Sequence, residues 1–166
     1  VEDAPLAISD TTPLIALHAV SLLDVLAARF REVWIPLTVW AELTALPGAV
    51  EPAAVQELPC VRLVPDVTSL PPAVLRLDPG EQQALAIAMT MRDAFVLLDD
   101  GAARAVARAA GLKHIGTIGL IAAAKQAGVC ASARDRFELL RRSRFRIDLR
   151  LVNDVLHDLG EEALPA

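Results

Sequence analysis

Residues 6–13 read Leu6-Ala7-Ile8-Ser9-Asp10-Thr11-Thr12-Pro13. A short apolar run ends on a carboxylate, and a capping hydroxyl and a proline suited to a helix's first turn follow at once. This is a strand running directly into a helix with an acid at the junction. The strand covers 6–9. The helix is capped by Thr12, starts at Pro13 and carries Leu14, Leu17, Leu22, Leu23 and Leu26 to about Arg29.

The same transition recurs downstream. Phe95–Leu98 is the best strand in the chain, closed by Asp99 and Asp100, and a helix over 101–110 follows until Gly111 ends it. Between the two copies lies a strand over 32–36. Thr38 then caps a helix to Leu46, with Val39, Leu43 and Leu46 as its buried stripe and Glu42 at the border, and Pro47-Gly48 stops it. The Pro-rich stretch 51–72 carries a short helix near 53–58 and a strand at 61–64. Asp78-Pro79-Gly80-Glu81 opens a helix to about Met91, with Leu85 and Ala88 inward. A strand at 114–115 leads through Gly116-Thr117-Ile118-Gly119 into a helix over 118–127, and helices near 132–143 and 148–159 complete the pattern.

Strands alternating with helices imply parallel pairing through crossovers. The expected fold is a three-layer α/β/α, Rossmann-like arrangement around a parallel sheet of about five strands. Residues 1–166 form one domain, with a core over about 6–130 and C-terminal helices over about 131–160. An apolar fraction of 54% with 22% charged residues describes a packed chain, and the absence of Tyr with only four Phe and two Trp favours helices over a sandwich or barrel.

Cys60 and Cys130 lack metal-ligand spacing and disulfide density, which fits reduced thiols in a cytoplasmic protein. No secretory leader pattern opens the chain, and no apolar run reaches the roughly 18 residues of a membrane span. Neither export nor membrane insertion is expected. The sequence begins at Val1 without methionine, so a short element can precede it.

A net charge of −5 excludes a protein that coats nucleic acid by overall attraction. Its distribution is uneven. Residues 134–150 hold Arg134, Arg136, Arg141, Arg142, Arg144, Arg146 and Arg150 against Asp135, Glu138 and Asp148, a local +4 that leaves −9 elsewhere. Such a segment can hold a nucleic-acid backbone beside an acidic pocket, or be a solvated helix face.

Parallel strands end on one edge of their sheet, so acids ninety residues apart can share one crevice. Clustered carboxylates repel unless a cation holds them, which points to a divalent metal and chemistry on a phosphate. Asp10 can be a cap or a ligand, and a cap supplied by Thr12 frees it. Thr11 and Thr12 offer hydroxyls to water or phosphate. Glu42 alone is an ordinary helix residue, and Asp78-x-x-Glu81 alone is a capping box. Of the tandem Asp99-Asp100, one suffices to cap the next helix, and the second needs a cation or Arg104 one turn along. Thr117 falls near the same edge, in a turn without the length or Lys of a P-loop. His18, His114 and His157 show no zinc or triad spacing.

Five blocks taken together resemble the PIN-domain family, most closely its small prokaryotic branch related to VapC-type toxins. They are Ser9-Asp10-Thr11-Thr12-Pro13-Leu14-Ile15, Ile35-Pro36 with Val39-x-x-Glu42-Leu43, Leu77-Asp78-Pro79-Gly80-Glu81, Leu98-Asp99-Asp100-x-x-x-Arg104 and Gly116-Thr117-x-Gly119. The likeness runs from about residue 6 to 155. It implies a Mg²⁺- or Mn²⁺-dependent endoribonuclease with Asp10, Glu42 and Glu81 as its first three acids and Asp99 or Asp100 as the fourth. Asp10, Asp99, Asp100 and Glu81 are the implied metal ligands, and Thr11, Thr12, Arg104 and Thr117 orient substrate or water. RNA as substrate, an antitoxin partner and a homodimer follow from the same resemblance. Two departures stand out: the third acid is Glu where many relatives have Asp, and the fourth block holds two acids.

A different class of function uses the same charge chemistry: a binding module whose acidic pocket receives a basic side chain of another protein. A phosphoryl-accepting domain with Asp10 as nucleophile is a weaker third reading, since an Asp-x-Asp pair is missing.

Overall fold

A computed structural model describes residues 4–143 and 145–165. Val1 and Arg144 lie outside the described residues, so the reading of Arg144 in the basic segment has no structural counterpart.

Strand β1 (Leu6–Ser9) leads into α1 (Thr11–Ala19) and α2 (Asp24–Arg29), then β2 (Glu32–Pro36), α3 (Leu37–Ala45), α4 (Pro52–Gln56) and β3 (Val61–Val64). A 3₁₀ turn at Pro72–Val74 precedes α5 (Pro79–Met89), β4 (Phe95–Leu97), α6 (Gly101–Ala109), β5 (Lys113–Ile115), α7 (Thr117–Gln126), α8 (Ala133–Arg142) and α9 (Leu149–Asp158). The five strands pair in parallel in the order β3-β2-β1-β4-β5. Ala7 sits opposite Val33 on one side and Phe95 on the other.

Every residue of β1 is buried, as a parallel strand covered on both faces requires. Alternation along the strand splits the core into two layers. Leu6 and Ile8, with Val96 and Leu98, pack against Leu85 and Ala88 of α5 and Ala103 and Ala107 of α6. Ala7, Val33, Ile35 and Leu97 face the opposite layer, which α1, α2, α3, α7, α8 and α9 build with Leu17, Leu26, Leu43, Leu120, Phe137 and Leu156. The expected three-layer α/β/α fold is the one observed. Removing Ile8 to Ala, wholly buried at the centre, would cost about 2–5 kcal/mol.

Local details depart from the sequence expectations. The helix expected from Pro13 to Arg29 is broken: Ser21 adopts φ 54°, Leu22 N–H donates to Leu17 O and Ser21 N–H to His18 O, closing α1 with a Schellman turn. A serine fills a place usually marked by glycine, so the sequence carries no stop signal there. Asp10, rather than Thr12, is the residue before α1, and Pro13 falls inside the first turn, where its missing N–H costs no helical bond. Pro36, rather than Thr38, precedes α3. Leu46, expected in the buried stripe, is 46% exposed because the helix ends at Ala45 and the chain turns away. Among the described residues, no helix is long and apolar enough to cross a membrane. Both cysteines are free and buried.

Candidate active site

The chain builds the sheet outward from β1 to β2 and β3, then returns to place β4 on the other side of β1. The connections after β1 and β4 therefore diverge and leave a crevice beyond the carboxyl ends of these strands, where ligands of open parallel sheets bind. Asp10 stands at its edge, its N–H donating to Leu97 O at 3.2 Å, and Asp99 and Asp100 follow the end of β4.

Asp10 occupies the N-cap position of α1, yet its carboxylate makes no capping hydrogen bond. It is only 6% exposed. Burial, partly offset by the Thr11 and Thr12 amides and reinforced by Glu42 and Asp99, pushes its pKa up to about 6. Glu42, one helix away, bridges two other helix starts: Thr11 Oγ1 donates to its Oε2 at 2.7 Å, and Gly80 N–H donates to its Oε1 at 2.9 Å. Glu81 forms the expected capping box, its Oε2 accepting from Asp78 N–H at 3.2 Å. It is also 6% exposed, and burial together with Asp10, Asp100 and Asp78 raises its pKa to about 7 against the Asp78 amide. The cap and the crevice share this side chain.

Gly80 explains how the acids meet. A Cβ there would lie 2.5 Å from Glu42 Oε2 and 2.9 Å from Asp10 Oδ1, so two carboxylates from α3 and the end of β1 converge on bare backbone. Sequence reading missed this glycine's role; its place one residue before Glu81 was the available signal.

The tandem acids divide their work. Asp100 caps α6, its Oδ1 accepting from Ala102 N–H at 2.7 Å and Ala103 N–H at 3.0 Å. Asp99 turns to α7, accepting from Thr117 N–H at 2.7 Å and Thr117 Oγ1 at 2.6 Å. Each charge is met by a helix N-terminus, so the repulsion expected of the pair needs no arginine. Arg104 pairs with neither acid among the described residues, and its Nε is buried without a partner. Thr11 holds Glu42, Thr117 holds Asp99, and Thr12 is exposed at the rim of a cavity of about 740 Å³ that Asp99, Asp100 and Arg104 also line.

Much of the basic segment is structural. Arg134 and Arg142 flank Glu138 at 3.8 and 3.0 Å, Arg136 donates to Val20 O, and Arg141 donates to Pro165 O. Another pairing invisible in local sequence is Asp66, which accepts from Thr38 N–H at 3.0 Å and Thr38 Oγ1 at 2.7 Å and so anchors the start of α3, the helix that carries Glu42. Twenty-eight residues of separation leave no pattern to read.

Among the described residues, no three acids, histidines or cysteines stand as a ready-made metal-binding group. The residues nonetheless fit a hard divalent cation. Asp10 and Glu42 oxygens converge on the Gly80 cradle, the donor set is all oxygen, and Asp10 and Glu81 are buried acids lacking a positive neighbour.

An all-parallel sheet with carboxylates gathered at its switch point defines a three-layer α/β protein with an acidic crevice. A family model described as PIN domain matches residues 6–161, and the chain belongs to the PIN-domain family. PIN domains are generally nucleases and typically use divalent metal ions. No curated protein matches the chain.

Proposed function

We propose that this protein is a cytoplasmic, toxin-like endoribonuclease that hydrolyses RNA phosphodiester bonds with Mg²⁺ or Mn²⁺. The observation that carries this reading is the convergence of Asp10 Oδ1 and Glu42 Oε2 on the bare backbone of Gly80. Asp10, with Glu42 and Asp99 beside it, would hold the cation. When bound, it lowers the pKa of water and neutralises charge growing on the phosphoryl oxygens.

The chain's own residues do the positioning. Thr11 Oγ1 and Gly80 N–H fix both oxygens of Glu42, so its carboxylate needs no reorganisation on substrate binding. Thr117 fixes Asp99 with two short hydrogen bonds. Glu81, buried and close enough to Asp10 for their charges to repel, would orient the attacking water. The burial of these groups limits competing solvent, which strengthens every charge interaction within the crevice.

A second reading rests on the same uncompensated acids. A guanidinium from an antitoxin-like partner satisfies Asp10 and Glu81 as a cation does, and would hold the nuclease silent. The test is cleavage of a mixed single-stranded RNA pool with EDTA, Mg²⁺ or Mn²⁺, beside Asp10→Asn and Glu42→Gln. Cleavage that requires metal and is lost in both variants supports the nuclease. Folded protein that cleaves nothing in either metal removes it in favour of the binding module.

A further inference from the structure

The cavity beside the acids has a composition that the crevice alone does not explain. It is lined by the β5–α7 turn, by Arg104 of α6, by residues 145–148 between α8 and α9, and by Leu151 and Val155 of α9. Ile115, Phe145, Leu151 and Val155 give it apolar surface, while Arg104 and Arg146, from different elements, line it with two cations. Neither guanidinium has an ion-pair or hydrogen-bond partner among the described residues, in contrast to Arg134, Arg136, Arg141 and Arg142 of the neighbouring helix. Asp99 and Asp100 form the boundary shared with the acidic crevice.

We propose that this cavity seats an unstacked nucleotide of single-stranded RNA, next along the strand from the phosphate at Asp10 and Glu42. The inference rests on the nuclease reading and adds the part of the substrate that this chain grips. Its size, about 740 Å³, falls in the range of pockets that enclose small ligands, and the mixture of apolar walls with a few polar groups is typical of such sites. A base lies against Ile115 and Leu151 with Phe145 as the aromatic face, and its flanking phosphates meet Arg104 and Arg146. The two unpaired cations argue for an anionic chain over a neutral ligand. Contact with Asp99 places that chain's next phosphate in the crevice. An RNA whose bases are stacked in a helix cannot offer one to such a pocket, so loops and single strands are selected.

The test measures binding apart from cleavage. A fluorescein-labelled single-stranded RNA octamer is titrated, by polarisation in Mg²⁺, into Asp10→Asn protein and into Asp10→Asn carrying Leu151→Trp, Arg104→Gln or Leu75→Trp. Leu151 is 40% exposed at the wall, and a tryptophan fills the cavity without disturbing the core; Leu75, 57% exposed elsewhere, is the control. The proposal requires at least a tenfold weaker Kd with Leu151→Trp and with Arg104→Gln, and an unchanged Kd with Leu75→Trp. In otherwise wild-type protein, Leu151→Trp raises KM and leaves kcat within about threefold. Equal binding by all four proteins, or no binding by any, overturns the pocket. Selective loss of octamer binding in a protein that cleaves no RNA leaves the pocket standing and removes the nuclease, so the two failures are distinguishable.

Discussion

Asp10 and Glu161 are both carboxylates set against helix N-termini, and the protein shifts them in opposite directions. Glu161, beyond α9, reaches back to the start of α8, accepting from Ala133 N–H at 2.9 Å, Arg134 N–H at 2.8 Å and Ser132 Oγ at 3.0 Å, with Lys125 Nζ at 3.4 Å. Burial alone would raise it, yet these donors outweigh burial and hold its carboxyl below the ordinary value. At Asp10 burial outweighs the Thr11 and Thr12 amides, Glu42 and Asp99 add repulsion, and its carboxyl rises to about 6. One region spends its charge on closing the fold. The other keeps a charge uncompensated, at a cost in stability, where the sheet opens. The chain thus uses one chemical group for a clasp and for a site, and the number of donors decides which.

Exchanging the charge at each position separates the two roles most strongly. Asp10→Asn should lower kcat on RNA by about a thousandfold, roughly 4 kcal/mol of transition-state stabilisation, while its melting temperature without metal is equal to or above that of wild type. Glu161→Gln should keep kcat within a few-fold. A destabilised Asp10→Asn protein would mean that the buried acid serves the fold after all.

Asp10 was legible as a candidate because a strand followed by a helix puts its junction at a sheet edge whatever the remaining chain does. The central strands β1 and β4 were legible for a related reason: parallel strands buried on both faces leave short apolar runs, whereas the edge strands β3 and β5 are more exposed and carry Arg62, Lys113 and His114. Glu161 and Asp66 were not legible. Their partners lie about 27 residues away, and a remote cap has no spacing rule, unlike the Asp78–Glu81 box, which local sequence announced. Ser21 hid a helix end for want of a glycine. The division of labour between Asp99 and Asp100 depends on where α7 begins relative to β4, which is a tertiary fact.

The opposite shifts give opposite pH dependences. Asp10 and Glu81 have raised pKa values, so the native state holds their protons more tightly than the unfolded chain does. Their contribution is full below the ordinary carboxylate range and is lost as pH rises through about 6 and about 7. Metal-free protein should therefore lose about 5 kcal/mol of stability between about pH 4 and pH 8 through this pair, and added Mg²⁺ should restore more at pH 8 than at pH 5.5, because protons compete with it. Urea unfolding across that range with EDTA and with Mg²⁺ measures both slopes. A metal-free curve that climbs steadily to pH 8 would break the contrast.

Glu161 runs the other way. Its lowered pKa gives stability that is present above the ordinary glutamate value and is lost as pH falls through the lower native value. Glu161→Gln should cost about 1–3 kcal/mol at neutral pH, since the amide has one acceptor oxygen and leaves either the Ala133 or the Arg134 N–H facing an NH2 group. The mutant's deficit should shrink toward acid. Thermal melts at pH 7 and pH 4 read the difference, and a deficit equal at both would assign the clasp to packing.

The smallest expected effect is the sharpest, because it falls on one member of the tandem acids. Asp100 is exposed and makes its two hydrogen bonds through Oδ1 alone. An asparagine oxygen caps a helix about as well as an aspartate one, so Asp100→Asn should change stability by no more than about 0.5 kcal/mol. Removing its charge also relieves Glu81, one of the groups it repels, and should move the upper part of the pH transition down. Asp99→Asn meets a different constraint: Thr117 N–H and Oγ1 both donate to Asp99, one to each oxygen. An amide keeps both contacts only by reversing one, its Nδ2 donating to Thr117 Oγ1, which weakens the anchor of α7, and the crevice loses a charge that Asp10 feels. Activity should therefore fall further for Asp99→Asn than for Asp100→Asn, and the reverse order would place the fourth acid of the site at Asp100, with its helix cap a secondary role.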